Sequence, residues 1–207
     1  MPASKLREYI CLLDMRFIWR LCTPTPEDRE MPDDESFYRW QDYSSKVIDT
    51  MTSRHPNDHI LVLINDPYSD EASVKDSQHQ QRAQGKGQYQ DGSKNIFIKP
   101  DERFPARREF AQFFKNKENK KGLQEYLKNE FRKYAVSKNI KLLYSVKDEC
   151  WHLGSGMRKE EFECEHAEAD TIILCIYHQL RKMGVTDTVV IDAEDTDVQS
   201  NSSSALP

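Results

Sequence analysis

Carboxylate side chains follow the apolar segments of this sequence and could together hold a divalent metal ion. Asp14 comes directly after the first apolar run, Asp66 shortly after the second, and a further pair follows the last run. Oxygen ligands from Asp and Glu are those that Mg²⁺ and Mn²⁺ prefer. Two such ions about 4 Å apart activate a water and stabilise the leaving oxygen in phosphodiester hydrolysis. The candidate metal ligands and catalytic residues are six acids: Asp14, Asp66, Glu168, Asp170, Asp195 and Asp197.

Five of these six acids also have a structural explanation. Asp195 and Asp197 flank a threonine in a pattern that is typical of turns and helix N-caps, and Asp66 precedes a proline in an equally turn-like segment. Glu168 and Asp170 fall in the first turn of a predicted helix, where acids interact favourably with the helix dipole. Clustering of these acids is harder to explain structurally, because like charges within a few ångströms repel unless cations neutralise them.

Apolar periodicity predicts the elements that would position these acids. The predicted strands are short apolar runs at residues 9–13, 60–64, 140–146 and 188–191. The predicted helices span about 34–51, 121–138 and 166–183. This alternation predicts an α/β fold, with a mostly parallel sheet and helices on both of its faces. Ligands bind beyond the carboxyl ends of the strands in such a sheet, where the acids fall.

The 207 residues predict one domain, and composition excludes several classes of protein. No run approaches the roughly 20 apolar residues of a membrane span, so we expect no membrane association. The first residues lack the apolar stretch of a secretory signal, which predicts an intracellular protein, nuclear or cytoplasmic. The five scattered cysteines argue against a disulfide framework or a zinc finger. Without a phosphate-binding glycine loop, no nucleotide cofactor is expected.

The predicted domain covers residues 1–198 and contains polar segments. Residues 78–93 are rich in Gln and Gly and predict a mobile loop, and residues 151–163 predict a hairpin-like, irregular insertion. Residues 199–207 predict a disordered polar tail. Residues 72–141 carry 17 Lys and Arg against 8 Asp and Glu, although the whole chain has a net charge of -5. This basic stretch could bind phosphates, or it could simply solvate helix faces.

Several short motifs, taken in order, resemble one family. They are Leu12-Leu13-Asp14-Met15, Ile64-Asn65-Asp66-Pro67-Tyr68 with Ser73-Val74-Lys75-Asp76, Asn119-Lys120, His166-Ala167-Glu168-Ala169-Asp170-Thr171 and Glu194-Asp195-Thr196-Asp197-Val198. Together they resemble the PIN-like domain, related to flap-endonuclease cores, of many transposon-associated animal proteins. The resemblance implies a Rossmann-like sheet and a two-metal carboxylate site, with Mg²⁺ or Mn²⁺, that hydrolyses DNA or RNA. It also implies a set of nucleic-acid-binding residues: Lys75, Arg82, Arg107, Arg108, Lys120 and Lys121.

The chain also departs from the family pattern. Asn65 stands where the family usually has an apolar residue, and the family continues beyond Val198 with a further strand and a C-terminal section. The sheet is therefore expected to lack its last elements. Two alternatives stay open: a catalytically degenerate module that binds nucleic acid or protein, and a receiver-like domain that uses a single aspartate.

Overall fold

The computed structural model describes residues 9–23, 38–55, 59–66, 95–105, 110, 112–146, 149–163, 169–185 and 188–193. The strands are β1 Tyr9–Asp14, β2 His59–Asn65, β3 Leu142–Val146, β4 Glu149–His152, β5 Met157–Arg158 and β6 Val189–Asp192. The helices are α1 Met15–Leu21, α2 Trp40–Arg54, α3 Lys117–Lys138 and α4 Ala169–Lys182, with a 3-10 turn at Glu160–Phe162. No described helix is both long and apolar enough to cross a membrane.

These strands form one six-stranded mixed sheet in the order β5-β4-β3-β2-β1-β6. The four strands β6, β1, β2 and β3 are parallel, whereas β4 and β5 are antiparallel additions at one edge. The predicted α/β class is confirmed. From β1 the chain continues to β2 on one side and later returns to β6 on the other side. This reversal is a topological switch point, where ligands bind in open α/β sheets.

Both faces of the central strands are buried, which explains why the strands are continuous apolar runs. On β1, Ile10 and Leu12 belong to a core cluster that includes Ile172 and Ile176 of α4. The alternate residues, including Leu13, are equally buried on the opposite face. In α4 the apolar residues recur every three or four positions, so one stripe of the helix packs on the sheet.

Local capping produced one helix that the apolar pattern did not predict. The seven residues of α1 follow β1 without a loop, because the Asp14 side chain accepts a hydrogen bond from the backbone N–H of Arg16 and so caps the helix. The segment 151–163, predicted to be irregular, completes β4 and forms β5. Strands of four and two residues are too short to show a recognisable alternation of apolar and polar residues in the sequence.

The chain divides into two compact units. The first contains the sheet, α1, α4, most of α2 and the second half of α3. The second contains the beginnings of α2 and α3 and has an aromatic core in which the rings of Trp40, Phe104 and Phe113 pack together. The predicted mobile loop at 78–93 and the predicted tail at 199–207 lie outside the described residues.

Candidate functional site

Asp14 is the last residue of β1 and stands at the switch point. Parallel pairing places it opposite Ile64 of β2, two residues before Asp66. Its Oδ1 atom accepts the hydrogen bond from the Arg16 backbone nitrogen at 2.8 Å. The strand therefore fixes the position of this carboxylate, and the helix cap fixes its orientation.

Asp66 joins the end of β2 to two other segments. Its Oδ1 atom accepts a hydrogen bond at 3.1 Å from the backbone nitrogen of Ala169, the first residue of α4. Its Oδ2 atom lies 3.5 Å from Nη1 of Arg16. The Ala169 contact brings the first turn of α4, which contains Asp170, to the carboxyl end of the sheet. Asp14, Asp66 and the first turn of α4 therefore lie at the same end of the sheet.

The surroundings of Asp14 raise the pKa of its carboxyl group. Burial raises that pKa most, and the charges of Asp66 and Asp170 raise it further. Hydrogen bonds from the backbone N–H groups of Arg16 and Phe17 lower it, but the net result is a pKa of about 6. Burial and the two neighbouring negative charges both oppose ionisation of Asp14, and a bound cation would favour the ionised form.

Three of the six predicted ligands lie among the described residues: Asp14, Asp66 and Asp170. The other three, Glu168, Asp195 and Asp197, lie outside the described residues. Within the part of the chain that is described, no three His, Cys, Asp or Glu side chains converge closely enough to hold a metal ion by themselves. A complete coordination sphere would need ligands from the remaining segments.

The predicted nucleic-acid-binding residues fall into two groups. Lys75, Arg82, Arg107 and Arg108 lie outside the described residues. Lys120 and Lys121 lie near the start of α3 in the second unit, where Lys121 pairs with Glu118 at 3.2 Å. The neighbouring Asn119 is buried and accepts a hydrogen bond from the backbone nitrogen of Ile96 at 2.7 Å, so its described role is structural.

Asn65, which departs from the family pattern, is accommodated inside the sheet. Its side-chain nitrogen donates to the carbonyl oxygens of Leu63 at 3.4 Å and Ser145 at 3.3 Å. Within the described residues its Oδ1 atom has no hydrogen-bond partner. The amide thus forms a polar link between β2 and β3, one residue before Asp66.

Sequence reasoning missed an ion-paired group at the end of β6. The Asp192 carboxylate accepts two hydrogen bonds from the Arg54 guanidinium, from Nε and Nη2, both at 2.8 Å. Nε2 of His55 lies 2.8 Å from Asp192 Oδ2. Burial alone would raise the pKa of Asp192, but these partners hold it below its ordinary value. Arg54 and His55 precede Asp192 by 138 and 137 residues, so no local motif could reveal the group.

A pH experiment without metal tests the electrostatics of Asp14. The folded pKa of about 6 lies above the ordinary value of 3.8, so the folded state binds this proton more tightly than the unfolded state does. This stabilisation is present below about pH 4 and is lost as pH rises through 6. At pH 7.5, Asp14→Asn cannot ionise and keeps a good N-cap, so we expect it to be more stable than the wild type by about 1–3 kcal/mol.

Urea unfolding in EDTA at pH 7.5 and pH 4 measures this difference. The advantage of Asp14→Asn should shrink towards zero at pH 4, where Asp14 of the wild type is protonated in the folded state. An equal difference at both pH values would contradict the raised pKa.

Comparison with known proteins identifies no relative: no protein-family model, curated protein or solved structure matches this chain. The chemistry has to be argued from the residues of the site, because a fold by itself does not define a function.

Proposed function

We propose that this chain carries a divalent-metal-dependent nuclease site of the PIN-like type, which hydrolyses the phosphodiesters of DNA or RNA. The observation that carries the proposal is that Asp14 and Asp66 stand at the ends of neighbouring parallel strands at the switch point, and that the Ala169–Asp66 hydrogen bond brings the first turn of α4, which contains Asp170, to the end of β2. A Rossmann-like sheet of the PIN-like kind fits the parallel order β3-β2-β1-β6. An intracellular setting, nuclear or cytoplasmic, fits a nucleic-acid substrate.

The side chains of the site fit Mg²⁺ or Mn²⁺. They offer carboxylate oxygens, the ligands that these hard cations prefer, and the pKa of Asp14 is raised first by burial and then by the charges of Asp66 and Asp170. Asp14, Asp66 and Asp170 would hold the metal, joined by three acids assigned from sequence position alone: Glu168, Asp195 and Asp197. When bound, the ions would activate water and neutralise charge on the phosphate.

The protein's own residues supply positioning and charge. Asp66 holds the first turn of α4 by accepting the Ala169 N–H, and Arg16 places a half-exposed guanidinium beside Asp66. Basic residues of the middle part of the sequence would bind backbone phosphates without reading sequence. These are the residues named from the resemblance: Lys75, Arg82, Arg107, Arg108, Lys120 and Lys121.

Cleavage of labelled oligonucleotides tests the proposal. Purified protein with Mg²⁺ or Mn²⁺ should cut a flap or single-stranded substrate, and EDTA should stop the reaction because the acids alone cannot activate water. The Asp195→Asn variant, purified in parallel, should be inactive. Equal cleavage by the wild type and this variant would identify a contaminating nuclease and refute the proposal.

A second candidate is a degenerate PIN-like module that binds nucleic acid or protein without catalysis. It is favoured by Asp66, whose two oxygens already contact the Ala169 N–H and the Arg16 guanidinium. An aspartate occupied in this way can serve as a structural link rather than a metal ligand. Calorimetric titration with Mn²⁺ distinguishes the candidates, since a nuclease site must show carboxylate-dependent binding and a degenerate module must not.

A further inference from the structure

The group formed by Asp192, Arg54 and His55, here called the Asp192 clamp, ties α2 to the end of β6. Only 11% of the Asp192 side chain and 8% of the His55 side chain are exposed. The Arg54 guanidinium carbon also lies 5.6 Å from the centre of the Phe17 ring on α1, the helix that Asp14 caps. Arg54 therefore contacts both β6 and α1, the helix that follows β1.

Stability alone is a weak reason for such a clamp. The Arg54 side chain is 42% exposed, and ion pairs with a solvent-exposed partner typically contribute only about 0–1 kcal/mol to stability. The position of β6 explains the clamp better. This strand has four residues and, among the described residues, pairs only with β1. A short strand with one neighbour has little hydrogen bonding to fix its end.

The clamp lies at the same end of the sheet as the proposed metal site. Asp192 is the register partner of Leu13, so the clamped residue stands beside the residue that precedes Asp14. Asp195 follows three residues later in the sequence. Holding Asp192 in place fixes the end of β6 beside the end of β1.

We propose that Arg54 and His55 are positioning residues, which hold the end of β6 beside Asp14 and so set the metal affinity of the site. This inference rests on the proposed function. Supporting groups behind metal ligands typically change metal affinity by roughly ten- to a hundredfold when they are removed. The clamp differs from them in acting through the end of a strand rather than through a ligand's own hydrogen bond.

Titration of the full chain with Mn²⁺ tests the proposal, because loss of positioning and loss of charge predict opposite changes in Mn²⁺ affinity. Arg54→Gln removes a positive charge near the acids, so charge alone predicts tighter Mn²⁺ binding. Loss of positioning predicts binding that is weaker by about tenfold or more. Lys133→Gln is the matched control, since it removes the same charge from an exposed ion pair with Glu130 on α3.

Weaker binding by Arg54→Gln, with unchanged binding by Lys133→Gln, supports the clamp. Unchanged or tighter binding by Arg54→Gln overturns it and leaves the proposed function standing. Absence of Mn²⁺ binding by the wild type overturns the proposed function and the clamp's role together. Circular dichroism confirms that each variant is folded. If Arg54→Gln does not fold, Arg54→Lys, which keeps the charge but loses the two-point contact, is judged by the same criterion.

Discussion

Asp14→Asn is expected to lower metal-dependent cleavage by roughly a thousandfold, equivalent to about 4 kcal/mol of transition-state stabilisation. Asp14 is the most central of the described acids, because it ends β1 at the switch point and feels the charges of both Asp66 and Asp170. Asparagine keeps the helix cap and nearly the same volume, so the loss would come from the missing charge. Single-turnover cleavage of an oligonucleotide in Mn²⁺ measures the effect.

Asp49→Asn provides the control for this prediction. Asp49 is an exposed residue of α2, so its substitution removes one negative charge without touching the site. Its cleavage rate should stay within about twofold of the wild type, as expected for a surface charge in high dielectric. Full activity in Asp14→Asn would show that the cleavage does not depend on the switch-point acids.

Leu12→Ala is expected to destabilise the protein by about 3 kcal/mol, a typical cost of emptying a well-packed core position. Leu12 is 0% exposed and lies in the middle of β1, packed in the core cluster beneath α4. In a chain of this size the loss corresponds to a fall in Tm of roughly 6–12 °C. Urea and thermal unfolding followed by circular dichroism provide the measurement.

Val190→Ala is the comparison for this core substitution. Val190 lies on β6 with 37% of its surface exposed, so its truncation should cost less than about 1 kcal/mol. A similar loss at the two positions would contradict the assignment of β1 to the centre of the core and β6 to its periphery.

Asp14→Asn is expected to raise the stability of the metal-free protein and to lower its cleavage rate, and both effects have one cause. The same buried, ionised Asp14 carboxylate that would bind a cation makes the metal-free protein less stable at neutral pH, because burial and the charges of Asp66 and Asp170 oppose its ionisation. Mn²⁺ should therefore raise the Tm of the wild type, because a ligand that binds only the folded state stabilises it. Asp14→Asn would begin from a higher stability and gain little from the metal.

Short apolar runs were sufficient to predict the parallel strands and the helix α4. Residues 9–13 and 60–64 lie in β1 and β2, because a strand buried on both faces has no polar alternation to obscure it, and residues 188–191 overlap β6. The placement of Asp14 and Asp66 at the ends of two of these strands could also be predicted from the sequence. Parallel strands end at the same edge of a sheet, so acids that follow them had to approach one another.

Other features depended on contacts between residues far apart in the chain. Nothing local in Arg54 or His55 indicates a partner 138 or 137 residues later, since an ion pair of this kind exists only after α2 and β6 pack. The hydrogen bond from Ala169 to Asp66 spans 103 residues for the same reason. Local patterns determined which segments became strands and where the acids stood along the chain. Only the tertiary structure decided which acids met, because strand order and helix docking are set by packing across the whole sheet.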